Sequence, residues 1–126
     1  MTFASWLFSA QRAWQNLSLR AVAVSTVVFA LGISSWFVWQ IIKLRHTANG
    51  LLVLHHNVYV GIDAIKPWWW AFGLPLVWLG CLSVDMLWAF GAYRKNAYQT
   101  WALLFVASAI CVPYFLTLWQ LIRINR

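Results

Sequence analysis

The sequence contains no glutamate, and its only acids are Asp63 and Asp85. That leaves little for acid–base catalysis. Charged residues make up 9% of the 126 positions, against about 25% in a soluble domain. A chain so poor in charge cannot cover itself with polar surface in water, so lipid is its expected solvent for much of its length. Cysteine is scarce too. Cys81 and Cys111 both fall inside apolar runs, with no Cys-x-x-Cys or Cys/His metal spacing, and are read as small buried packing residues. No Ser/His/Asp, Walker, GxGxxG or HExxH pattern is present, so neither an enzyme nor a cofactor is expected.

Apolar residues and tryptophan fill the space. Hydrophobic side chains account for 63% of the chain, and 11 residues are Trp. Most indoles lie near the ends of apolar runs: Trp36, Trp39, Trp68 to Trp70, Trp88, Trp101 and Trp119. Indole is apolar with one donor and settles at headgroup level, so this tryptophan-rich pattern reads as an aromatic belt. The formal net charge is +7. The cations stand at the ends of apolar runs, where they meet anionic headgroups, and they form no basic patch of the kind that binds nucleic acid.

Three runs are long enough to cross a bilayer, which takes roughly 20 residues in a helix. They cover residues 21–42, 68–92 and 100–122, with short polar ends. The turn from Tyr93 to Gln99 makes the last two an antiparallel pair. Before them, residues 1–18 place Phe3, Trp6, Leu7, Ala10, Trp14 and Leu17 at helical spacing, with Ser9, Gln11, Arg12, Gln15 and Asn16 elsewhere. That predicts an amphipathic helix in the membrane interface. The apolar run after it begins too late and is too long for a signal peptide. The expected fold is therefore all-α: a single multi-pass integral membrane domain with three transmembrane helices, an interfacial helix and a short extended extramembrane segment at 45–67. Cations are nearly balanced between the two sides, and the tight Arg94-Lys95 turn tips the balance toward a cytoplasmic N-terminus.

Three features carry any chemistry there is. The first is the polar block His55, His56, Asn57, Tyr59, Gly61 and Asp63. Imidazole and carboxylate can ligate a metal, but adjacent histidines in an extended segment point to opposite faces, and only His46 is left to join them. The other reading is an interfacial cap, with Asp63 capping a turn or paired to Lys66. A metal is not expected. The second feature is Asp85 inside an apolar run, where charge costs at least about 2.5 kcal/mol. Ser25, Thr26 and Ser108 fall at similar depth and predict one interhelical hydrogen-bond cluster with it. The sharper reading is a proton relay or ion pathway, and a partner subunit supplying an Arg is a third. The third feature is a kinked layer: Pro75 and Pro113, beside Gly73 and Tyr114 and level with Ser34 and Ser35, can open a shallow pocket toward the His block, but ordinary helix bending with Ser back-bonding is the first reading.

The block from His55 to Asp63, followed by Pro67-Trp68-Trp69, resembles a group of small uncharacterised bacterial membrane proteins of candidate phyla radiation type. Their pattern is Leu-His-Tyr-Asn-x-Tyr-Phe-Gly-Ile-Asp before a helical pair. Here His56 stands in place of the usual Tyr, and Asp85 in place of an expected Asn. The block also resembles, more distantly, a His-x-Asn motif of toxin-immunity membrane proteins. The resemblance implies architecture more than activity. From the residues, the first expectation is a non-catalytic accessory subunit of a larger bacterial inner-membrane protein complex. The alternatives are a ligand-responsive or immunity-type membrane protein, and a metal- or proton-handling component.

Overall fold

A computed structural model describes residues 2–45, 50–57 and 61–126, apart from the side chains of 55–57 and 61–64. Helix α1 covers Phe3–Gln15 and α2 covers Leu17–Leu44. A single residue separates them. Asn16 closes α1 through its backbone N–H, bonded to the Ala13 carbonyl, and opens α2 by accepting the Leu19 N–H with its side chain. That cap is why α2 starts four residues before the expected 21. The 28 residues of α2 make a rod of about 42 Å.

Strands β1 (Leu51–Asn57) and β2 (Gly61–Pro67) follow as an antiparallel hairpin, reached through Gly50 at φ 76°. The expected extended segment is thus a paired one. Pro67 ends β2, and a 3-10 turn at Trp68–Phe72 leads into α3 (Gly73–Ala92). A proline there costs no ladder bond, because it stands at the strand's end. Helix α4 runs Ala97–Ile124, opened by Asn96, whose side chain accepts from the Gln99 N–H. The α3–α4 turn is therefore shorter than the expected Tyr93–Gln99.

Helices α2, α3 (with its 3-10 lead) and α4 are each long and apolar enough to cross a membrane. Helix α4 packs against both others, which touch each other less. Three apolar layers fill the space between them. The layer nearest α1 holds Ala13, Leu19, Ala23, Ala89 and Leu104. The middle layer is built on the small residues Ala30, Ala107 and Cys111 with Leu82. Small side chains let helix backbones approach closely. The layer at the hairpin end is larger, with Phe37, Ile41 and Leu118 at its centre, and Leu52 ties β1 into it. Outward, α2 exposes Val28 and Phe29, α3 exposes Leu76, Val77 and Val84, and α4 exposes Phe105, Val112 and Leu116.

Helix α1 meets the bundle through Trp6 and two small residues and leaves most of its large apolar residues exposed. Phe3, Leu7, Trp14 and Leu17 of the expected apolar face are exposed, and the buried positions are Ser9 and Ala13. The reason is the closeness of the crossing with the end of α3. A Cβ on Gly91 would collide with the Trp6 indole, whose Nε1 donates to the Leu87 carbonyl at 3.2 Å. Ser9 slots into the last turn of α3: its hydroxyl donates to the Phe90 carbonyl at 3.1 Å and accepts the Arg94 N–H at 3.0 Å. A helix end with orphan groups is thereby satisfied from another helix.

Candidate functional site

Depth along a helix is read from sequence by counting residues. The expected polar cluster assumed that equal depth means contact. Part of it forms: the Thr26 and Ser108 hydroxyls are 2.7 Å apart across α2 and α4. Each also donates or is positioned to donate back to its own helix, Thr26 to the Val22 carbonyl at 2.8 Å and Ser108 to that of Leu104 at 2.8 Å. Ser25 is not a member. It is exposed, and its hydroxyl bonds the Val22 carbonyl one turn back.

Asp85 is not a member either. The buried stripe of α3 runs Pro75, Leu82 and Ala89, spaced by seven residues. Asp85 is three residues on from Leu82, which rotates it to the flank of that stripe. It opens onto a shallow groove of about 660 Å³ with Gly80, Cys81, Val84, Trp88 and Leu103 in its walls. Asp85 makes no hydrogen bond or ion pair among the described residues. A smaller recess beside it, shared with Trp78, Cys81, Ala107 and Ile110, runs between α3 and α4. The Trp78 indole N–H is buried there without an acceptor. One flank of α3 thus carries both an unpartnered acid and an unpartnered donor. Cys81, expected to be buried packing, is exposed in this groove, whereas Cys111 is buried as expected.

At the kinked layer a shallow apolar groove of about 460 Å³ opens between α2 and α4, lined by Gly32, Ile33, Trp36 and Phe115, while the α3 side is filled. Pro75 stands in the first turn of α3, where its missing N–H disturbs little, so only Pro113 is inside a helix. Tyr114 fills the α3 side. Its ring stacks on Trp78 at 4.7 Å, and its hydroxyl bonds that of Ser34 at 3.1 Å. Ser35 is exposed.

The polar block lies in the hairpin. His56 pairs with Ile62, Asn57 with Gly61, and His55 with Ala64, so the register skips Leu54 on one strand and Asp63 on the other. Asp63 is therefore the residue left unpaired in the backbone register between His55–Ala64 and His56–Ile62. The side chains of His55, His56, Asn57, Gly61 and Asp63, and all of Tyr59 and His46, lie outside the described residues. The expected pairing of Lys66 with Asp63 lies outside them for the same reason; Lys66 itself stands 5.4 Å from the Trp70 ring centroid. Among the described residues, no three His, Cys, Asp or Glu side chains cluster as a metal site would require.

No family model, curated protein or solved structure matches this chain. What it does must be argued from its own geometry.

One residue that matters to the block went unread in the sequence. Asn125, beyond the end of α4, bonds β1 through its side chain and so ties the hairpin to the helix end. A lone Asn 72 residues away from its partner gives no local signal.

Proposed function

We propose that this chain is a non-catalytic accessory subunit of a larger bacterial membrane complex. It crosses the inner membrane three times, and the outer flank of α3 receives a helix of another polypeptide. The membrane placement is supported by three long apolar helices that expose Val, Leu and Phe all along their outer sides. Such surface in water would be a large aggregation-prone patch.

The observation that carries the reading is Asp85, half-exposed in an apolar groove with no partner of its own. An acid at that depth faces the hydrocarbon, where ionisable residues are costly and are met by a partner. Gly80 adds a place where a second backbone can come close, since nothing lies within 4 Å of a Cβ built there. An open groove beside an acid with no partner among the described residues fits a partner helix that brings a hydrogen-bond donor opposite Asp85.

The test is purification in mild detergent followed by native mass spectrometry. A discrete second polypeptide, retained by Asp85→Asn and lost in Asp85→Leu, is the expected result. A lone monomer or a homo-oligomer of wild-type chain sinks the reading. Attention would then pass to the hairpin, held rigidly by Asn125 and Leu52, as the binding element of a ligand-responsive or immunity-type protein.

A further inference from the structure

A second cluster, at the opposite corner of the fold from the hairpin, is built from α1 and the α3–α4 turn. Phe8 and Arg12 are one helical turn apart on α1 and so share a face. Arg94 comes from the turn. The Arg12 guanidinium carbon lies 5.4 Å from the centroid of the Phe8 ring, and that of Arg94 lies 5.0 Å from the same centroid. The two guanidinium carbons are thus at most about 10 Å apart, with the Phe8 ring as their common neighbour. Neither forms an ion pair among the described residues. Arg20, over the Trp14 ring, and Lys95 add to the positive charge of this corner.

The pair is held in place rather than left to chance. The backbone N–H of Arg94 is bonded to the buried hydroxyl of Ser9, on the same helix that carries Arg12. Ser9 therefore fixes the distance between the two elements that supply the guanidiniums. Its depth is set as well, because α1 crosses α3 at its last turns, where the apolar run ends. A separate open groove of about 790 Å³ lies between α1 and α3, walled by Leu7, Trp14, Met86, Leu87 and Phe90.

We propose that Arg12 and Arg94 bind the phosphate of an anionic phospholipid. The proposal rests on the membrane placement above but not on the accessory-subunit role. Two guanidiniums on one aromatic ring, without ion pairs among the described residues, offer a phosphate the paired N–H donors by which Arg engages it. A zwitterionic headgroup brings its own cation into this corner and is repelled by it. The depth of the pair, at the end of the apolar run, selects a lipid over free phosphate.

The experiment is native mass spectrometry of the full chain in mild detergent, supplied with phosphatidylglycerol or phosphatidylcholine of identical acyl chains. Wild-type protein should retain phosphatidylglycerol with a preference of about tenfold, and Arg12→Gln with Arg94→Gln should bring this within about twofold. Arg123→Gln with Arg126→Gln, at the other end, should leave the preference unchanged. Equal retention of both lipids by wild-type protein overturns the proposal. So does a preference that survives the first pair of substitutions or falls equally with the second. Displacement of the lipid by millimolar inorganic phosphate would also overturn it, by making the site one for the free ion. If the double variant misfolds by circular dichroism, the single Arg12→Gln change is read instead and must lower the preference. Carbonate extraction of wild-type membranes separates the two failures. A chain that stays in the pellet yet shows no lipid preference lacks the site, whereas one released to the supernatant lacks the membrane placement.

Discussion

The side-chain amide of Asn125 pairs with the backbone of Val53 as a neighbouring strand would. Its Oδ1 accepts the Val53 N–H at 2.7 Å, and its Nδ2 donates to the Val53 carbonyl at 2.8 Å and to the Leu121 carbonyl at 2.8 Å. A single residue thus supplies a sheet edge and a helix cap together. Asn125→Asp keeps the acceptor and loses the donor. It should therefore cost nearly as much as Asn125→Ala, about 1–3 kcal/mol from carbonyls left unsatisfied. Hydrogen exchange at the Val53 amide separates the two: protection should survive in the Asp variant and vanish in the Ala variant. Equal protection in both would mean the clasp is not what holds β1.

Gly91 and Trp6 should be coupled. Gly91→Ala drives a methyl into the indole and should destabilise the docking of α1 by about 1–3 kcal/mol, the usual range for overpacking. Adding Trp6→Ala should restore much of that loss, since the space is then empty. Limited proteolysis in the 12–20 region reads the docking. No rescue by the second change would place the strain elsewhere.

Across α2 and α4, a double-mutant cycle on Thr26→Ala and Ser108→Ala should give a coupling of about 0.6 kcal/mol, typical of interhelical hydrogen bonds in membranes. Ser25→Ala is the internal control and should couple to neither, because its hydroxyl stays on its own helix. Coupling of Ser25 to Ser108 would require a rotated α2.

Asp85→Leu should separate stability from assembly. With an unpartnered acid removed from hydrocarbon, the isolated chain should unfold no more easily than wild type, and insertion should improve by at least about 2.5 kcal/mol. The same variant should lose its partner on purification. A large loss of stability in the isolated chain would show that Asp85 serves its own fold instead.

These cases also show where sequence reading succeeded and where it stopped. The long helices were legible because length and apolarity suffice to find them, and their starts moved most where a cap such as Asn16 or Asn96 extended the run. The depth of Thr26, Ser108 and Asp85 was legible for the same reason: it is a count of residues. Rotation was not. Helix α3 is apolar on all sides, so no stripe marks which flank faces α4, and Asp85 fell outside the cluster that depth alone predicted. Helix α1 was legible as an amphipathic helix, but not the contact it makes: Trp6, Ser9 and Ala13 meet the bundle while Phe3, Leu7 and Trp14 stay exposed. In the hairpin, the Val- and Tyr-rich alternation signalled extended chain. The two register skips at Leu54 and Asp63 depend on pairing between strands and leave no mark on either strand alone.

The bonds of α1 to the end of α3 span 81 to 85 residues of chain. A ribosome adding about 5–20 residues per second needs on the order of ten seconds to make that stretch. Throughout that interval Trp6 and Ser9 have been synthesised and their acceptors have not. Helix α1 can lock down only when the turn carrying Arg94 emerges. Maturation of this protein therefore closes on an early segment, and a stalled or truncated translation product would be recognisable by an unlatched α1 open to protease.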